Sequence, residues 1–100
     1  MIVIEKTATF LNWLRDLRDI RAMARIQVRI DRLALGNPGD VKPVGEGVSE
    51  LRVDYGPGYR IYFAQHGKVL IVLLCGGDKR TQNADIENAK KLAKEWTDGT

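Results

Sequence analysis

One hundred residues, 44% of them apolar and 29% charged, suit one small folded domain and exclude wholesale disorder. Sixteen Lys and Arg against thirteen Asp and Glu leave a net charge of +3, which favours an anionic partner, either nucleic acid or an acidic protein. The single cysteine excludes a disulfide framework and a thiolate metal site, and the longest apolar run, Val69 to Leu74, is far too short to span a bilayer.

The chain starts Met1-Ile2-Val3-Ile4-Glu5-Lys6, with an acid in its apolar start and no basic leader, so it does not read as a signal peptide. A cytoplasmic protein is expected. Ile2 to Glu5 is β-branched and reads as a first strand, with Thr7 as the cap of a following helix. Phe10, Trp13, Leu14 and Leu17 then recur at helical spacing. Asp19 caps a second helix, whose predicted inner stripe is Ile20, Met23, Ala24, Gln27, Ile30 and Leu33. Gly36-Asn37-Pro38-Gly39-Asp40 ends it, because Gly suits the position after the last turn and Pro cannot continue a helix. Two helices so closely joined predict an antiparallel hairpin.

Residues 40–48 are rich in Gly and Val, contain Pro43, and read as a loop. Three strands follow: Ser49 to Asp54, Tyr59 to Gln65, and Lys68 to Cys75. Tyr55-Gly56-Pro57-Gly58 is a turn, and His66-Gly67 a tight hairpin. The third of these strands is apolar on both faces, which predicts a central strand covered on both sides. In its neighbours the faces alternate. Leu51 and Val53 oppose Arg52 and Asp54, while Tyr59, Ile61 and Phe63 oppose Arg60 and Tyr62. A last helix from about Asn83 to Trp96 has Ile86, Ala89, Leu92, Ala93 and Trp96 on its inner stripe. The order is strand, two helices, three strands, helix: an α+β chain read as a single domain over residues 1–100.

The candidates for chemistry are few. A lone His66 in a turn is a poor metal ligand, and no metal site or cofactor is expected. Gly76-Gly77-Asp78-Lys79 lacks the spacing of a phosphate-binding loop, and Cys75 has no histidine partner and reads as a small core residue. What remains is a set of cations and phenols, Arg52, Arg60, Lys79, Arg80, Tyr59 and Tyr62, with Asp54 and Asp78. Guanidinium groups grip a phosphodiester bidentately and stabilise charge growing at phosphorus. Tyr, Lys or carboxylate groups move protons once neighbours shift their pKa values. Such a set could cut RNA without metal, the 2′-hydroxyl attacking the adjacent phosphate. Spacing alone favours the plainer reading, a solvated sheet face with charges at its turns, because charge at strand ends is common. Separately, Arg15, Arg18, Arg21, Arg25, Arg29 and Arg32 follow at steps of 3, 3, 4, 4 and 3, which puts all six on one broad stripe of helical surface. That stripe reads as a solvated face or as a contact for RNA or an acidic chain.

At these residues the chain resembles the RelE/ParE/HigB superfamily of type II toxin–antitoxin toxins, and most of all its phage-related, HigB-like addiction-module killer proteins. The resemblance rests on Leu35-Gly36-Asn37-Pro38-Gly39-Asp40, on Gly47-Val48-Ser49-Glu50-Leu51-Arg52, on Gly56-Pro57-Gly58-Tyr59-Arg60, and on Leu74-Cys75-Gly76-Gly77-Asp78-Lys79-Arg80-Thr81-Gln82 followed by Asp85-Ile86. It implies the RelE-like fold, a helical hairpin on a small, mainly antiparallel sheet with a C-terminal helix. The activity implied is that of a ribosome-dependent mRNA endoribonuclease. The partners implied are the ribosome, mRNA and a helix-turn-helix (HigA-like) antitoxin, with no membrane. Arg60 matches the family's phosphate-binding arginine, and Lys79 and Arg80 its basic pair after the last strand. Arg52 falls, with a one-residue gap, where RelE-type toxins carry a strand lysine. Asp54 replaces another such lysine, and the catalytic histidines of some HigB toxins have no counterpart. The resemblance therefore assigns no general base, and Asp54, Asp78 and Tyr59 are candidates by chemistry alone. A ParE-like gyrase poison and a toxin-derived binding module without catalysis are the alternatives.

Overall fold

The computed structural model describes residues 2–98. The elements are β1 (Val3–Lys6), α1 (Ala8–Asp16), α2 (Ile20–Ala34), β2 (Val41–Gly45), β3 (Val48–Val53), β4 (Tyr59–His66), β5 (Leu70–Asp78), a 3₁₀ turn over Lys79–Thr81, and α3 (Gln82–Asp98). The strands form one mixed sheet in the order β1-β5-β4-β3-β2, parallel only between β1 and β5. The architecture is α+β, as expected.

Side-chain alternation divides the core into two layers. Leu51, Val53, Ile61, Phe63, Ile71 and Leu73 meet Phe10 of α1 and Ala22, Ile26, Ile30 and Leu33 of α2. On the opposite face Val48, Tyr62, Ala64, Val72 and Leu74 meet Ala89 of α3, flanked by Ile86, Leu92, Ala93 and Trp96. The expected inner stripe of α3 and the central, doubly covered β5 are both observed. The expected helix caps are present too. Thr7 accepts from the Phe10 N–H at 3.0 Å, and Asp19 from the Arg21 and Ala22 N–H groups at 2.9 and 3.2 Å. The end of α2 is closed by the Gly36 and Asn37 N–H groups, which donate to Leu33 and Arg32 at 3.0 and 2.9 Å. Gly36 takes the left-handed conformation this requires.

Three expectations are corrected. Residues 41–45 are a strand, not a loop: β2 is an edge strand, the place where Pro43 removes no needed ladder bond. The buried stripe of α2 is Ala22, Ile26, Ile30 and Leu33; Ile20 is 80% exposed, and Ala24 and Gln27 face solvent. The two helices, joined by residues 17–19, cover one face of the sheet together: α1 lies over β5 and α2 over β3, with β4 between. His66 ends β4, its ring 4.7 Å from that of Trp96, and the turn follows it at residues 67–69.

Strand β5 runs on through Gly76-Gly77-Asp78, past the expected end at Cys75. Tyr62 pairs with Cys75 and Phe63 with Leu73, which leaves Leu74 as an extra residue in a bulge. The bulge exchanges the faces beyond it. A Cβ on Gly76 would fall inside the Trp13 ring, and one on Gly77 would fall on the Asp85 carboxylate. Trp13 is itself packed against Phe10 and Tyr59. Gly76→Ala is expected to lower unfolding stability by about 1–3 kcal/mol through overpacking and to shift Trp13 fluorescence. Equal denaturant midpoints for the two proteins would refute this.

Candidate functional site, a basic cavity at the strand ends

Beyond the C-terminal end of β3 and the start of β4 lies a shallow cavity of about 300 Å³ lined by Asp40, Arg52, Val53, Asp54, Gly58, Tyr59, Arg60 and Lys79. Five of the sequence candidates, Arg52, Asp54, Tyr59, Arg60 and Lys79, therefore come together. The pairing of β3 with β4 sets Arg52 directly opposite Arg60, and β5 opposes Arg60 with Gly77, which has no side chain.

Two like charges across a ladder repel, and each here has its own carboxylate. Arg52 Nη2 donates to Asp40 Oδ1 at 3.0 Å. Arg60 Nε lies 3.6 Å from Glu50 Oε2, and its Nη1 donates to the Gly58 carbonyl at 2.8 Å. Glu50 is the centre of the arrangement. It is 1% exposed, and its Oε2 also accepts from the Tyr62 hydroxyl at 3.0 Å and from Gln82 Nε2 at 2.9 Å. Sequence reading missed Glu50 and Asp40. The signal for Glu50 was present, since it lies two residues before Arg52 on the same strand face, opposite Tyr62.

The remaining candidates stand elsewhere. Tyr62 is fully buried, so it cannot touch RNA or an antitoxin; burial, with the Glu50 carboxylate beside it, pushes its phenol far up. Its aromatic ring fills the layer under α3. Arg80 does not line the cavity but pairs with Asp78, Nη2 to Oδ2 at 3.0 Å. This partner holds Asp78 below the usual carboxylate range, and Asp78 also caps the 3₁₀ turn. Cys75 is buried and its thiol is pushed up to about 12, first by burial, as suits a core residue. Lys79 is exposed and has no ion pair or hydrogen bond among the described residues, and the same is true of Asp54. Burial, then the charges of Asp19 and Asp78, raises the phenol of Tyr59 above its ordinary value, so Tyr59 stays protonated near neutral pH. No group of three or more His, Cys, Asp or Glu among the described residues could hold a metal ion, and no helix among them is long and apolar enough to cross a membrane.

The six-arginine stripe is also revised. α1 ends at Asp16 and α2 starts at Ile20, with Leu17 and Asp19 extended, so Arg15 and Arg18 are not on the helix that carries Arg21, Arg25, Arg29 and Arg32. Those four line a groove of about 590 Å³ along α2 with Ala24, Val28, Val53 and Asp54.

Behind the cavity Asp85 accepts from the Thr81 hydroxyl at 2.5 Å, and burial raises its pKa. A raised carboxylate pKa means that the folded state holds its proton more tightly than the unfolded chain. The resulting cost is absent below the ordinary value of 3.8, grows as pH rises through the folded pKa, and is complete above it. Asp85→Asn is accordingly expected to raise the melting temperature at neutral pH, with the gain vanishing in acid. A gain that persisted unchanged in acid would contradict the assignment.

The fold and the cavity define a small α+β protein with a basic, strand-end site. Residues 12–96 match the family described as Phage derived protein Gp49-like (DUF891), and the chain belongs to that family. It is also similar to an uncharacterized protein of Haemophilus influenzae, 53% identical over 94 residues that cover 94% of this chain and 95% of the relative. The family's description states a phage origin and names no activity.

Proposed function

We propose that this phage-derived protein is the toxin of a type II toxin–antitoxin module, a RelE/HigB-type endoribonuclease that cuts mRNA on the ribosome. The observation that carries the reading is the gathering of Arg52, Arg60, Lys79, Tyr59 and Asp54 around one cavity, residues drawn from the ends of two strands and the turn after a third. The phage origin of the family and the matching motifs of the sequence support it.

In the proposed reaction Arg60, held from behind by Glu50, and the free ammonium of Lys79 face the scissile phosphate. The 2′-hydroxyl attacks phosphorus, the bond from phosphorus to the 5′-oxygen breaks, and a 2′,3′-cyclic phosphate and a 5′-hydroxyl result. The proton lost by the 2′-oxygen goes to Asp54, the exposed carboxylate of the cavity. Tyr59, kept as a phenol by its raised pKa, supplies the proton to the leaving 5′-oxygen. The positive side chains stabilise the extra charge on the phosphorane. A helix-turn-helix antitoxin is the proposed silencing partner.

Inducing the protein alone in bacteria and mapping new mRNA 5′ ends tests the proposal. Growth arrest with cuts inside translated frames is expected. Arrest with intact mRNA and broken DNA would replace it by gyrase poisoning, and normal growth would leave a binding module without catalysis.

A further inference from the structure

The groove along α2 and the basic cavity share a wall, because Val53 and Asp54 line both. Arg21 and Arg32 of the groove have no acidic partner among the described residues, and Arg29 spends its guanidinium on the carbonyls of Arg52 and Pro38. From Arg21 to Arg32 the groove runs about 16 Å along the helix. Arg25 lies over the Tyr55 ring at 4.7 Å, so a planar cation and an aromatic ring form one platform beside the shared wall.

We propose that this groove is the track for single-stranded RNA leading into the cavity. Phosphates meet Arg21 and Arg32, and a base stacks on the Arg25–Tyr55 platform, since bases stack on guanidinium planes and aromatic rings alike. Asp54 chooses between the possible occupants. Its exposed, unpaired carboxylate accepts hydrogen bonds from the amino groups of bases, whereas it repels an acidic peptide at the point where the groove meets the cavity. The inference deepens the proposed RNA cleavage and rests on that reading for the direction of the track.

The test is binding of a fluorescein-labelled 2′-O-methyl oligocytidylate dodecamer, which lacks the attacking hydroxyl and carries the base amino groups, measured by anisotropy over a salt series. Each phosphate contact on a single strand contributes about 0.7 to the slope of log K against log salt. Arg21→Gln/Arg32→Gln, which spares the platform, is expected to lower the slope by about 1.4 and weaken binding at low salt about tenfold or more. Arg25→Gln is expected to weaken binding further, and melting curves verify that each variant folds. Unchanged affinity and slope in the double variant would overturn the track. So would displacement of the RNA by polyglutamate at equal charge, which would make the groove a protein dock. If the wild type binds with the expected slope but leaves mRNA uncut in cells, the cleavage proposal fails and the track stands. If mRNA is cut while the groove variants bind like wild type, the track alone fails.

Discussion

Glu50→Ala will cost about 3–5 kcal/mol of unfolding free energy, the loss typical of stripping one partner from a buried ion pair. Three groups converge on one oxygen of this carboxylate: the Tyr62 hydroxyl, the Gln82 amide and Arg60 Nε. Alanine leaves the Tyr62 hydroxyl and the Gln82 amide without that acceptor, and buried Arg60 Nε, which has no hydrogen-bond partner of its own, without its counterion. The Arg60 guanidinium, its side chain only 12% exposed, keeps its hydrogen bond to the Gly58 carbonyl but carries a charge with no counterion. Small domains hold about 5–15 kcal/mol in total, so the variant should sit close to its unfolding threshold at physiological temperature. Glu50→Gln keeps a carbonyl for Tyr62 and Gln82 but loses the charge, and should cost less, about 1–3 kcal/mol. Glu50→Leu/Arg60→Met removes both charges and should recover the share due to the unpaired Arg60, while Tyr62 and Gln82 stay without their acceptor. Urea unfolding of the variants measures all of this. A Glu50→Ala midpoint equal to wild type would show that the network holds nothing together.

Lys79→Ala should abolish the growth arrest that the wild type is proposed to cause while leaving the fold unchanged. Removing one preorganised charge-stabilising contact typically lowers turnover about 10²–10³-fold. Lys79 makes no ion pair or hydrogen bond among the described residues, so its unfolding free energy should stay within about 0.5 kcal/mol of wild type. It is therefore a cleaner probe than Arg60, whose loss would damage both the cavity and the buried network behind it. The measurements are growth after induction, mapped mRNA ends and a melting curve. Full toxicity in a Lys79→Ala/Arg60→Ala variant, with the same RNA ends, would end the proposal of cleavage at this cavity.

What the sequence revealed followed from strong local signals. The strands and α3 show clean periodicity, and the caps at Thr7 and Asp19 are short-range chemistry, so these elements were legible. The errors have physical causes. Pro43 argues against a strand, and only sheet order reveals that its strand lies at an edge where proline is harmless. Along α2 two stripes share Ile30 and Leu33, and the small Ala22 gave the true one too little apolar weight to stand out. The arginine stripe was drawn across residues 17–19 although the cap at Asp19 already marks the break. In the site, Arg60 and Lys79 were readable as cations beside turns. The buried role of Tyr62 was not, because strand alternation cannot tell a solvent face from one covered by a helix that arrives later in the chain. The bulge at Leu74 was equally hidden, and it decides which way Gly76 and Gly77 face.

The parallel pairing of β1 with β5 sets a timetable for the chain. Val3 lies beside Leu70, and the Thr7 hydroxyl donates to the Leu74 carbonyl across 67 residues. Closing so long a loop has a high entropic cost before any contact repays it, so local hairpins of β3 with β4 and β4 with β5 have the advantage of speed. As the chain leaves the ribosome, β1 must wait for β5 to emerge. Lys79 lies just past β5, so the cavity is complete only after all five strands have been made. A nascent chain that stops before Lys79 thus lacks the finished site, and whatever the cavity does waits for β5 and the turn after it.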